Sequence, residues 1–273
     1  MNRSQFNRLI REYRASMETL TPRNAWMDWR SDVYVNGTWQ CVKIADRYLP
    51  PGARILDFGC GMGLVATLLS RDGYKVTGID IDVGNQPFEA EDSYKYTWGS
   101  YQDEINNPSM IKDCWADLHT AFGADFSVYD GRHIPFDDGS FDGVVAHAVL
   151  EHLDPTWLYS LLEEIHRVCA PRGHFLVFRT PRPQAYLERL AAWLGLPVHD
   201  ATYTEDTVID VVQGYGFRLV ESDVTDMVPS FPPVGLRAYN VLSPVLVGLD
   251  SLLLRSPLRK YAHHMALTFQ RLD

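Results

Sequence analysis

The segment RILDFGCGMG, residues 54–63, constrains the fold of this chain more than any other. An apolar run carries a carboxylate, Asp57, and three glycines, Gly59, Gly61 and Gly63, then alternate with other residues. The run reads as a buried strand, and the following LVATLLSRDG as a helix with a glycine stop. Glycine tolerates unusual φ/ψ and lets a ligand come close to the backbone. The strand-then-helix pattern recurs. YKVTGID (74–80), FSVYD (126–130), FDGVVAHA (141–148), GHFLVFRT (173–180), FRLVESD (217–223) and HHMALTFQR (263–271) read as strands. Helices are expected over 155–169, opened by Pro155 with Asp154 as N-cap, and near 184–193 and 204–213. Such alternation argues for an α/β fold, a doubly wound, mostly parallel sheet with helices on both faces. Ligands bind such sheets at the carboxyl ends of the strands.

The rest of the chain decorates that sheet. Residues 3–19 carry Phe6, Leu9, Ile10 and Tyr13 at helical spacing, which predicts an amphipathic helix. A polar, irregular stretch with Trp26, Trp29, Tyr34 and Trp39 follows, and a second helix is expected over about 38–49. Two excursions leave the pattern, at 84–128 and 227–260. In the first, Ile111, Trp115, Leu118 and Phe122 share one helical face. The expected organisation is a helical cap segment over 1–50 and a main domain over 51–273 that carries both insertions. The aromatic groups of the N-terminal stretch and of SYKYTWGSY (93–101) either close over a substrate or pack the cap. Residues 241–254, VLSPVLVGLDSLLL, are strongly apolar, and basic residues follow to 260. One reading is an interfacial helix touching a membrane or a lipid-linked substrate. The favoured reading is a buried lid helix or a homodimer contact, because Pro244 and Asp250 interrupt the apolar face.

A formal net charge of −10 excludes a sequence-blind grip on nucleic acid. The cysteines Cys41, Cys60, Cys114 and Cys169 are scattered without metal-ligand spacing, and no resident metal is expected. The N-terminus has no apolar secretory core, and no run of about 20 apolar residues suggests a transmembrane segment. The plain expectation is a reduced, cytoplasmic protein.

The acids select among ligands for the glycine turn. Gly61-x-Gly63-x-x-Ala66 satisfies the loose dinucleotide pattern. A dinucleotide brings an anionic pyrophosphate, which Asp57 would repel. S-adenosylmethionine brings an ammonium and a sulfonium, which a carboxylate attracts. Asp80, ending the second strand, sits where a carboxylate accepts from two ribose hydroxyls. An NAD(P)-dependent oxidoreductase and a cofactor-binding protein without catalysis stay open as alternatives.

Four segments in order, ILDFGCGMG, VTGIDID, YDGRHIPFDDGSFDGVVAHAVLEHL and LLEEIHRVCAPRGHFLVF, resemble the class I S-adenosylmethionine-dependent methyltransferases, in particular the broad small-molecule group called type 11. The resemblance implies a Rossmann-like sheet of seven strands whose last strand is antiparallel. It places Gly59, Cys60, Gly61 and Gly63 under the methionine part of the cofactor, with Asp57 orienting its amino group. Asp80 would bind the ribose and Ile81 pack on the adenine. Asp130 would accept from the adenine amino group, with the Gly131 N–H beside it, and His147 would face the methionine end. Methyl transfer needs alignment and exclusion of water, and an alcohol or phenol acceptor gains from a general base. His147 is the first candidate for that base and His152 the second. Lining the cofactor pocket is the competing role for His147, and a supporting role the competing one for His152. Glu163-x-x-His166 has di-iron-ligand spacing but occurs once, so it reads as solvated surface. The expected reaction is methylation of an oxygen, or second a nitrogen, of a small molecule, sugar or lipid-linked acceptor.

Overall fold

In a computed structural model of the chain, the described residues are 1–21, 28–81, 108–153, 155–195, 202–230 and 235–273. Trp26, Asp82, Asp154 and the aromatics of 93–101 lie outside them. The strands are β1 (Arg54–Phe58), β2 (Lys75–Ile81), β3 (Asp125–Tyr129), β4 (Phe141–His147), β5 (Cys169–Pro181), β6 (Phe217–Thr225) and β7 (His264–Arg271). They form one sheet of order β3-β2-β1-β4-β5-β7-β6. The pairings among β3, β2, β1, β4 and β5 are parallel, and β7 runs antiparallel to both β5 and β6. This is the seven-stranded arrangement expected from the sequence.

The helices are α1 (Arg3–Leu20), α2 (Asp32–Tyr48), α3 (Leu64–Arg71), α4 (Pro108–Phe122), α5 (Pro155–Val168), α6 (Tyr186–Trp193), α7 (Glu205–Gly214) and α8 (Leu236–Leu254). Alternate strand residues feed two cores, as the period of two requires. Ile55, Val145, Leu176 and Phe178 join Tyr13, Val42, Leu68 and Leu118 on one face. Leu56, Val144, Phe175 and Phe269 join Leu162, Ile165 and Val208 on the other. The N-terminal helices therefore share the sheet's own core.

Two expectations are corrected. The second helix begins at Asp32, because the Ser31 side chain accepts the Tyr34 N–H and caps it. Tyr34 and Trp39 thus stand on a helix, not in an irregular stretch. The end of the first excursion belongs to the sheet: β3 starts at Asp125, and α4 buries Cys114, Leu118 and Phe122 as a crossover helix. His152 and its neighbour Glu151 lie ahead of α5, which opens at Pro155 as expected. They lie on a separate 3-10 turn, Leu150–His152.

The topology gathers one end of the sheet. β1, β2, β4 and β5 finish there, the carboxyl end of β6 lies there, and antiparallel β7 starts there, with His264 paired to Pro181 and Thr225.

Candidate active site

The glycine turn after β1 is shaped by its neighbours. Gly59, Gly61 and Gly63 all have positive φ, 69°, 49° and 71°. A Cβ at Gly59 would lie 2.7 Å from Val149, and one at Gly63 2.8 Å from Leu118 and Phe126. A Cβ at Gly61 would meet none of the described residues within 4 Å, so among them this glycine faces open space. Two side chains far away in sequence clamp the turn. The Tyr13 hydroxyl of α1 donates to the Met62 carbonyl at 2.7 Å, and Trp115 Nε1–H of α4 donates to the Gly61 carbonyl at 2.9 Å. Trp115 in turn stacks on Phe126 with ring centroids 5.5 Å apart.

Two acids stand behind the turn. Asp57 is buried, and its Oδ2 accepts the Ala66 N–H at 2.9 Å. Burial, with the nearby Asp80 charge, raises its pKa to about 8 against the pull of that one hydrogen bond. Asp80 accepts the Gly61 N–H at 2.7 Å and the Ile81 N–H at 2.8 Å. Burial raises its pKa too, although both hydrogen bonds oppose the shift. Among the described residues, no cation is paired with either carboxylate. Each oxygen retains acceptor capacity beyond its backbone bond. Two buried acids beside this glycine fit a cationic, hydroxyl-bearing ligand and, when ionised, oppose a pyrophosphate.

Asp130 follows β3 at the surface. Its Oδ1 accepts the Arg132 and His133 N–H groups at 2.8 and 2.7 Å, which hold its pKa down. Gly131 is buried beside it. His133 Nδ1 lies 2.8 Å from Glu164, which also accepts the Ile134 N–H and pairs with Arg167. This α5 staple fixes the loop after β3. Cys60 is a buried free thiol within the turn, and burial, then Asp80 and Asp57, raises its pKa.

His147 ends β4 and is buried. Its Nε2 has no hydrogen-bond partner among the described residues. Burial first, then the Arg179 charge, lowers its pKa to about 3. The imidazole is therefore neutral at ordinary pH, and it is a weak base. His152 is half-buried on its 3-10 turn.

The sequence reading missed the polar group behind His147. Arg179 sits in a bulge of β5 between Phe178 and Thr180, with φ 59°. It pairs with Asp226 at 3.1 Å, donates to Ser230 at 2.7 Å and lies 4.4 Å from the Tyr34 ring centroid. The Tyr34 ring meets His147 edge-on at 6.1 Å. Asp226, with φ 64°, also lies 2.8 Å from His264 Nδ1. Burial pushes the Asp226 pKa up, but Arg179, His264 and Thr225 outweigh it and keep the carboxylate ionised. Ala148, next to His147, has φ 57°. Non-glycine residues in the left-handed region cost about 1–3 kcal/mol each and gather at functional sites. Three of them mark this edge of the sheet. Gly37 of α2 makes the approach feasible, since a Cβ there would lie 2.7 Å from Arg179 Nη1.

A pH prediction follows for His147. Its lowered pKa leaves it deprotonated throughout pH 5–8, so it contributes no acid limb there. Turnover against pH should show no His147-dependent bend near the ordinary histidine value of 6.5. A bend there that His147→Ala removes would contradict this assignment.

Comparison with known proteins agrees with the geometry. Residues 39–222 match the family model described as "Methyltransferase domain". A stretch of 150 residues, 54% of this chain and 58% of the relative, is 25% identical to an uncharacterized methyltransferase of Synechocystis sp.. Another of 115 residues, 41% of this chain and 38% of the relative, is 30% identical to the ubiquinone biosynthesis O-methyltransferase of Xanthomonas campestris pv. campestris. The chain thus spans less than two thirds of the length of either curated relative. The solved 1,6-didemethyltoxoflavin-N1-methyltransferase of Burkholderia thailandensis superposes with a TM-score of 0.54 at 17% identity, covering 100% of this chain and 92% of that one. That likeness speaks to the fold alone.

Proposed function

The chain belongs to the methyltransferase-domain family of class I, S-adenosylmethionine-dependent enzymes, and from that premise we propose that it methylates an acidic oxygen, a phenol or enol, of a small molecule. The observation that carries the cofactor half of this reading is the pair of buried acids, Asp57 and Asp80, beside Gly61, where an added Cβ would meet none of the described residues. Bound there, S-adenosylmethionine supplies a methyl group activated by its sulfonium. Asp57 would hold the amino group, Asp80 the ribose hydroxyls, and Ile81, Asp130 and Gly131 the adenine end.

The acceptor end is read from His147. His147 is too weak a base to ionise an alkyl alcohol, but its neutral Nε2 can orient a hydroxyl. Arg179 is held by Asp226, so the preference for an oxygen that ionises readily rests on the weakness of His147 as a base. Tyr34, edge-on, and Phe178, tilted, pack against His147 and hold its ring in place. The O-methyltransferase relative is consistent with such an acceptor.

Turnover of labelled S-adenosylmethionine against matched phenols, enols, alcohols and amines tests the reading. Methylation of phenols or enols is expected, and methylation of amines alone would overturn it. Asp80→Ala should weaken binding of S-adenosylhomocysteine by about 1.5–3 kcal/mol, the loss typical of charge-assisted hydrogen bonds. Unchanged affinity in calorimetry would remove Asp80 from the ribose.

A further inference from the structure

The helix α8 leaves its outer side bare. Ala238, Val241, Leu242, Val245, Leu249 and Leu252 follow one another at helical spacing and are exposed. Val241 is 79% exposed, Val245 70% and Leu252 67%. Scattered exposed apolar residues are ordinary, but a contiguous apolar stripe along a 19-residue helix is not. The inner side accounts for the polar residues. Asp250, which breaks the apolar run in sequence, turns inward and accepts the Met227 and Val228 N–H groups at 2.6 and 2.8 Å. Asn240 and Ser243 bond to Asp32 and Arg30 of the α2 region. Pro244 lies within the helix and does not end it. The expectation of a buried lid is corrected accordingly: only Tyr239 and Ser243 of this helix are buried.

Charge says what fits the bare stripe. The chain as a whole carries −10, yet residues 235–260 hold four basic side chains, Arg237, Arg255, Arg259 and Lys260, against the single inward acid Asp250. The cations sit at both ends of the apolar stripe and all four are exposed; Arg259 pairs with Asp223 at 2.6 Å, so Arg237, Arg255 and Lys260 carry the charge argument. We infer that α8 is an interfacial helix whose apolar stripe enters the surface of an anionic phospholipid bilayer while its terminal basic residues meet the headgroups. A second copy of the chain fits less well. Antiparallel pairing of two α8 helices would bring Arg237 against the cluster at 255–260, and parallel pairing would bring each cluster against itself. No described helix is long and apolar enough to cross a membrane, so the contact is with the surface.

The placement matters for substrate access. α8 lies in the connection from β6 to β7, which leaves and re-enters the sheet at the edge that carries His147 and Arg179. Its inner side packs on α2, whose Tyr34 meets His147. The inference does not depend on which acceptor is methylated.

Sedimentation of the full chain with phosphatidylglycerol-containing vesicles, beside pure phosphatidylcholine vesicles, tests it. The protein should pellet with the anionic vesicles and release as salt rises. Val245→Glu should abolish pelleting while thermal unfolding and S-adenosylhomocysteine binding stay as in the wild type. Leu252→Glu serves equally if the first variant folds poorly. Arg255→Gln with Lys260→Gln should weaken partition about fivefold per charge removed. Failure to pellet with anionic vesicles, or pelleting unaffected by Val245→Glu and Leu252→Glu, would overturn the inference. So would a concentration-dependent dimer, seen by light scattering, that the same variants dissolve.

Discussion

Gly63→Ala should destabilise the protein by roughly 2–5 kcal/mol, combining left-handed backbone strain with overpacking. The two terms have separate origins. At φ 71° a side chain is strained wherever it points. Here it would also point into Leu118 and Phe126 at 2.8 Å. Phe126 has little room to give, because Trp115 stacks on it and is itself held by the Gly61 carbonyl. Displacing that ring therefore loosens the turn from below. Gly61→Ala provides the contrast. No atom of the described residues lies within 4 Å of the added Cβ, so the ligand-free fold should lose only about 1–2 kcal/mol from strain. The methyl group enters the open side of the turn, and S-adenosylhomocysteine affinity should fall by more than the fold's stability. Thermal unfolding without ligand and calorimetric titration with it separate the two variants. A Gly61→Ala protein that binds like the wild type would show that no ligand backs onto this turn.

The second large effect belongs to Asp57. Its carboxyl stands at about 8 in the folded, ligand-free protein, against an ordinary 3.8. The sign is fixed by proton counting. Between these values the folded state binds a proton that the unfolded state has released, so stability falls as pH rises from about 4 to 8. Asp57→Asn removes this penalty and keeps an oxygen for the Ala66 N–H. It should raise stability at pH 7 by roughly 2–4 kcal/mol and have little effect below pH 4. The same variant should bind S-adenosylhomocysteine more weakly, because a neutral amide does not attract an ammonium. Stability gained with affinity lost is the signature of a charge kept for a ligand. A variant that loses both, or gains neither, would assign Asp57 a purely structural role.

The sheet and the turn were legible because their signals are local. An apolar run, a glycine and an amphipathic face each span fewer than about 15 residues, within reach of periodicity. The face of Ile111, Trp115, Leu118 and Phe122 gave α4 in the same way. The start of α2 was obscured by aromatic residues around Ser31, whose capping role needs the Tyr34 N–H to be seen. Local reading could not assemble the cluster behind His147. Tyr34, Arg179, Asp226 and His264 come from α2, β5, the end of β6 and β7, and only the folded sheet edge brings them together. Asp250 misled for a related reason: a charge in an apolar run looks like an interruption until its two backbone partners are known.

The most direct test of the site is the proton balance of cofactor binding. Calorimetric titration of the protein with S-adenosylhomocysteine at pH 7, in two buffers of different ionisation enthalpy, measures the protons exchanged. If an ammonium is received by Asp57, which is largely protonated without ligand, binding should expel close to one proton, and Asp57→Asn should expel none. Equal heats in both buffers for the wild type would mean that this carboxylate does not receive the cofactor's cation.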